Sequence, residues 1–216
     1  MRSLARGWAA ATVAVSLVGV LIQLAVTITG VSTVTTETFS LPVRLWHFVS
    51  YFTIQSNLLV IATVLPLIRE PRHDGRIWRV LRLASVVMIT VTGLVHWFLL
   101  RPLSTLTGVE AVGDVLVHVA APALTLLGWL AFGPRPRITA GTVARSMVWP
   151  LAWLLGTLIA GGLTGWYPYP FLDVSARGAG PVALTCGVIA VLFAGLSTIC
   201  WRLDRVLSVP RATIAP

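Results

Sequence analysis

Residues 45–68 read LWHFVSYFTIQSNLLVIATVLPLI, and the length and polarity of this stretch decide the fold. A helix of that length rises about 36 Å at ~1.5 Å per residue, enough to cross a ~30 Å hydrocarbon core. Yet Ser50, Tyr51, Thr53, Gln55, Ser56 and Asn57 stand where lipid-facing helices carry Leu, Ile and Val. Polar side chains at membrane depth face a bundle interior or a wet cavity and mark functional sites. The stretch therefore predicts a membrane span and a buried polar site within it.

The rest of the chain fits that setting. Hydrophobic residues make up 56% and charged residues 11% of the 216 positions, against about 25% charged in a soluble domain. Mean hydropathy is +0.88. Six apolar stretches, roughly 8–30, 45–68, 80–100, 114–133, 146–165 and 180–201, are each long enough to cross. They leave no room for a soluble domain, so the expected fold is all-α, a single six-helix transmembrane bundle over 1–216 with a tail at 202–216. The first apolar run follows Arg2 and Arg6; it is too long for a signal-peptide core and is read as a retained helix.

The net charge of +9 comes from 16 arginines and no lysine. Alternating the loops puts thirteen of them on one side: Arg2, Arg6, Arg69, Arg72, Arg76, Arg79, Arg82, Arg135, Arg137, Arg145, Arg202, Arg205 and Arg211. Only Arg44, Arg101 and Arg177 fall on the other side. That asymmetry follows the positive-inside rule and predicts cytoplasmic termini; the Arg-only, Ala- and Gly-rich usage suits a GC-rich bacterial genome, so a bacterial inner membrane is the expected location. The basicity is topological, so no nucleic-acid partner is expected; membrane lipids are. Cys186 and Cys200 lie about 21 Å apart along one predicted helix, too far for a disulfide, and read as packing residues.

With this topology the titratable groups gather in the outer leaflet. Thr53 lies about 12 Å below the outer boundary, His96 about 8 Å and His118 about 6 Å, on three different helices. Thr53 and Asn57 are i,i+4 neighbours on one face, and Gln55 points behind them toward another helix. Asp114 and His118 are also i,i+4, which lets the carboxylate fix the imidazole tautomer. A single Thr in a membrane helix ordinarily bonds its own i−4 carbonyl; a His there is rarer and more costly. The loop at 166–179, WYPYPFLDVSARGA, cannot form a regular helix around its two prolines. Trp166, Tyr167 and Tyr169 suit either an interfacial aromatic belt or a structured cap over the pocket, with Asp173 hanging into it.

Three elements in order carry a resemblance: Ser50-Tyr51-Phe52-Thr53-Ile54-Gln55-Ser56-Asn57, His118 with Pro122, and Trp166-Tyr167-Pro168-Tyr169-Pro170-Phe171. The set resembles the bacterial six-span family known as Pr-six-Pr. It is more remotely similar to the eukaryotic androgen-induced and androgen-dependent TFPI-regulating membrane proteins. The match covers nearly the whole chain on short motifs. Those eukaryotic relatives are intramembrane threonine hydrolases that split fatty acid esters of hydroxy fatty acids. The resemblance implies Thr53 as nucleophile and His118 as base. The sequence departs from that pattern at Gln55-Ser56-Asn57.

The expected activity is hydrolysis of a lipid ester or fatty-acyl substrate. His118 activates the weak Thr53 nucleophile and Asp114 orients His118. Asn57 is the expected oxyanion donor, with His96 as a second. This reading calls for no cofactor and no metal. A rival reading makes His47, His96 and His118, with Asp114 or Asp173, a zinc site, although no HxxxH or HExxH spacing is present. A transporter or small-ligand binding protein is the third, and would place its polar groups at the midplane.

Overall fold

The computed structural model describes residues 1–30, 39–103 and 105–208. Residues 31–38 of the Thr-rich loop, and residues 209–216 of the expected tail with Arg211, lie outside them. Of the described residues 84% are helical and none lies in a strand. Among them, six helices are long and apolar enough to cross a membrane: Arg2–Thr29, Phe52–Arg69, Arg76–Leu103, Gly108–Phe132, Ala140–Thr164 and Ala179–Val206. This is a multi-pass membrane protein.

In chain order the elements are α1 (Arg2–Thr29), α2 (Leu41–Ser50), α3 (Phe52–Arg69), α4 (Arg76–Val95), α5 (Gly108–Val115) and α6 (Ala121–Phe132). Then follow α7 (Ala140–Ser146), α8 (Val148–Thr164), the one-turn α9 (Val174–Arg177) and α10 (Ala179–Val206). In the Arg76–Leu103 span, which begins with α4, 56% of the most apolar window is buried, against 11% for Ala140–Thr164 and 17% for α10. The bundle is thus built around α4, and the last two spans turn most of their surface outward. Indole N–H groups tie helices together through side-chain and backbone oxygens: Trp8 to Leu124 O (2.8 Å), Trp78 to Thr63 O (3.0 Å), Trp149 to Gln55 Oε1 (3.1 Å) and Trp153 to Ser50 O (2.9 Å). In a medium without water such bonds join helices that have no hydrophobic drive to associate.

Three departures from straight helices position the site. The span expected at 45–68 is not one helix, because it breaks at Tyr51, whose backbone is extended (φ −65°, ψ 126°). The Ser50 carbonyl, released from the helix ladder, accepts from Trp153 instead. The second and third departures are π turns, at His96–Leu100 after α4 and at Leu116–Ala120 between α5 and α6. Each is followed by a proline: Arg101 closes an i−5 bond to His96 O just before Pro102, and Ala121 closes one to Leu116 O just before Pro122. Proline has no N–H to give the regular ladder, so the turn widens ahead of it. His96 opens one π turn and His118 sits inside the other.

Candidate active site

The break at Tyr51 makes Thr53 the second residue of α3, where backbone N–H groups have no partner within the helix. The Thr53 N–H donates to the Tyr169 hydroxyl at 3.3 Å. No i−4 turn of the same helix lies behind Thr53, and its side chain is not back-bonded. Thr12, Thr63, Thr90 and Thr164, all deeper within helices, do bond their own i−4 carbonyls. Thr53 Oγ1 instead meets His118 Nε2 at 3.1 Å and the Tyr169 hydroxyl at 3.3 Å.

From His118 the network continues to Asp114. His118 Nδ1 donates to Asp114 Oδ1 at 2.8 Å, and His96 Nε2 lies 3.2 Å from Asp114 Oδ2. The two imidazoles stack nearly parallel, with ring centroids 3.9 Å apart. A His118 that donates its Nδ1–H to the Asp114 carboxylate presents the Nε2 lone pair to the Thr53 hydroxyl. Gly93 of α4 makes this proximity possible, since a Cβ there would stand 3.1 Å from His118 O and 3.2 Å from Pro122 Cβ.

Asn57 takes a different place from the one its spacing proposed. Its Nδ2 donates to Thr53 O (2.9 Å) and Val117 O (3.3 Å), so both amide hydrogens are directed at backbone. It straps the first turn of α3 to the π turn that carries His118. Ser56 and Thr92 form a second strap between α3 and α4 (3.2 Å). Gln55, behind the stripe, donates to Val49 O and accepts from Trp149.

The 166–171 segment closes over this cluster. Tyr169 is buried and stacks on Phe171 (5.2 Å, 3°), while Tyr51 approaches it edge-on at 5.8 Å. Burial pushes the Tyr169 phenol up to about 12, so it stays a neutral hydrogen-bond donor at ordinary pH. Tyr167 packs against Gly161, where an added Cβ would fall 2.1 Å from its ring. Trp166 stacks on His47 at 3.6 Å. Asp173 is not brought into the cluster. It caps α9, accepting from Ser175 Oγ (2.5 Å) and the Ala176 N–H (3.0 Å), and these bonds hold its carboxyl below the usual range.

Beside Thr53 opens an apolar cavity lined by Phe52, Leu100, Trp153, Tyr169 and Phe193 among others. Cys186 stands in its wall and Cys200 in the core, both as free thiols. The direct contact of the Tyr169 hydroxyl with Thr53 and the anchoring of Ser50 O by Trp153 were beyond sequence reasoning. The sequence signal for Tyr169 was its place between two prolines, which marks a fixed loop without saying where the ring points. His96, Asp114 and His118 offer ligand atoms within 4.8 Å of one another, a possible metal-binding group. Compared with family models, curated proteins and solved structures, the chain matches none.

Proposed function

We propose that this protein is an intramembrane ester hydrolase with Thr53 as nucleophile and His118 as general base. One observation carries the reading: Thr53 Oγ1, His118 and Asp114 form a continuous relay at 3.1 and 2.8 Å, at the rim of an apolar cavity. Those are hydrogen-bond distances with the base oriented by a third group, the arrangement an activated hydroxyl nucleophile requires.

His118 Nε2 takes the Thr53 proton as Oγ attacks the ester carbonyl, and Asp114 stabilises the imidazolium. Collapse of the tetrahedral adduct breaks the C–O bond to the alcohol, which leaves with the proton from His118. Water, deprotonated by the same imidazole, then attacks the acyl-threonine; collapse breaks the acyl–Oγ bond, releases the acid and returns the proton from His118 to Thr53 Oγ. The Tyr169 hydroxyl takes the oxyanion-donor role in place of Asn57, whose amide is committed to backbone. The apolar cavity suits an acyl chain, hence a lipid ester. The arginine asymmetry supports cytoplasmic termini and a site in the outer leaflet.

A second reading rests on the His96, Asp114 and His118 cluster, which could hold zinc with a bound water as nucleophile. Against it, both nitrogens that face Asp114 lie at hydrogen-bond distance from its separate oxygens. The test is turnover of p-nitrophenyl acyl esters by the purified protein. Thr53→Ala and His118→Ala each abolish it and a chelator leaves it unchanged. Turnover that survives Thr53→Ala eliminates the threonine nucleophile, and turnover lost to the chelator promotes zinc.

A further inference from the structure

Arg82 lies six residues into α4 from Arg76, about 9 Å along the helix from the arginine-rich end of the bundle. It is only 7% exposed. A guanidinium has five N–H donors, and here one is engaged, by Ser85 Oγ at 3.4 Å. No carboxylate pairs with it among the described residues, whereas Arg79 and Arg137 both pair with Asp74. A buried cation without a counter-ion is costly and calls for an anion.

Arg82 faces a pocket between α1, α3, α4 and α6, separate from the Thr53 cavity and without an acidic residue in its lining. Thr125 lines the same pocket and is 1% exposed, and its Oγ1 has no hydrogen-bond partner. A guanidinium with one of its donors engaged and a hydroxyl without a partner among the described residues thus converge on one space from different helices, and Ala9, Val64, Leu67 and Leu124 wall the rest of it. From this geometry we infer that the pocket binds a phosphate group, held by the Arg82 fork and the Thr125 hydroxyl. The fork matches phosphate geometry. The depth and apolar walls assign the phosphate to an anionic phospholipid whose upper acyl carbons pass along the aliphatic residues.

The full-length protein in mixed phosphatidylcholine–phosphatidylglycerol nanodiscs, analysed by native mass spectrometry, tests this directly. The wild type retains phosphatidylglycerol at least tenfold over phosphatidylcholine. Arg82→Met removes that preference, and Thr125→Val weakens it severalfold. Replacing an unpaired buried charge with an apolar residue is well tolerated; if Arg82→Met still fails to fold, Arg82→Lys keeps the charge without the fork and lowers the preference. In pure phosphatidylcholine discs, a melting temperature raised by inorganic phosphate in wild type but not in Arg82→Met, with no lipid preference, keeps the site and assigns it to a soluble anion. A phosphatidylglycerol preference that survives undiminished in Arg82→Met overturns the proposal. So does a wild type that responds to neither probe. Ester turnover, which Arg82 does not touch, stays unchanged in the variant.

Discussion

At the end of the bundle that carries Thr53, Asp114 divides its two oxygens between His118 and His96, His118 passes the contact on to Thr53, and Tyr169 closes the chain. At the other end Arg82 is as deeply buried and has one 3.4 Å contact. Both regions hold polar groups in an apolar medium, where an unmatched group is costly. The first satisfies itself from four segments of the chain, so its groups are fixed in mutual geometry before any substrate arrives. The second is incomplete and takes its partner from outside. A self-contained network suits bond chemistry, and an unfinished one suits binding.

Removing one link of the first network gives the largest effect. Asp114→Asn leaves the fold in place but replaces a carboxylate that only accepts with an amide that can also donate to His118 Nδ1, so the tautomer is no longer fixed and the imidazolium loses its counter-charge. Ester turnover falls by about 10³–10⁴-fold, measured as kcat/KM on a p-nitrophenyl ester, while the melting temperature moves little. A loss below tenfold would make Asp114 a bystander.

Tyr169→Phe comes next. It removes the hydroxyl that accepts from the Thr53 N–H and faces Thr53 Oγ1. Turnover falls about 10²-fold, and the buried N–H left unpaired costs about 1–2 kcal/mol. Because burial holds the phenol at about 12, Tyr169 stays protonated from about pH 6 to 9. The variant therefore lowers the whole pH–rate profile without shifting its limbs, and a shifted alkaline limb would contradict this role.

Gly161→Ala tests the cap without touching the network. The added methyl would overlap the Tyr167 ring, so the 166–171 segment must move, at a cost of about 1–3 kcal/mol by thermal unfolding. Turnover drops with it, because Tyr169 rides on the same segment.

The smallest effect belongs to the exposed ion pairs at the arginine-rich end. Hydrogen bonding from Arg79 holds the Asp74 carboxyl well below the usual carboxylate range. A depressed carboxyl contributes its stabilisation above the unfolded-state value and loses it as pH falls through the folded one, so the pair is intact at neutral pH. Asp74→Asn costs no more than about 1 kcal/mol, and less in high salt.

Much of the architecture was legible in the sequence because length and hydropathy determine membrane spans. The six spans appear in the expected order, although their ends differ by several residues where polar helix turns extend past the apolar core, as at Ala140–Ser146. The break at Tyr51 was not legible. The segment is apolar enough to continue, and the carbonyl left open by the break is satisfied by a tertiary bond from Trp153, about a hundred positions away. The π turns left a partial trace in Pro102 and Pro122. The i,i+4 spacing of Asp114 and His118 identified a local contact that any helix would make. Asn57 was misdirected because spacing gives the face of a helix and not the partner of a side chain. The backbone carbonyls of Thr53 and Val117 took its donors first. Arg82 was counted among the topological arginines, since only the folded bundle reveals that no carboxylate among the described residues pairs with it.

The central claim is that Thr53 becomes covalently acylated. The measurement is peptide mapping by mass spectrometry after treating the purified protein with a fluorophosphonate probe. The account predicts a single adduct on Thr53, absent from Thr53→Ala and strongly reduced in His118→Ala. An adduct on another residue, or labelling that persists in Thr53→Ala, would contradict it.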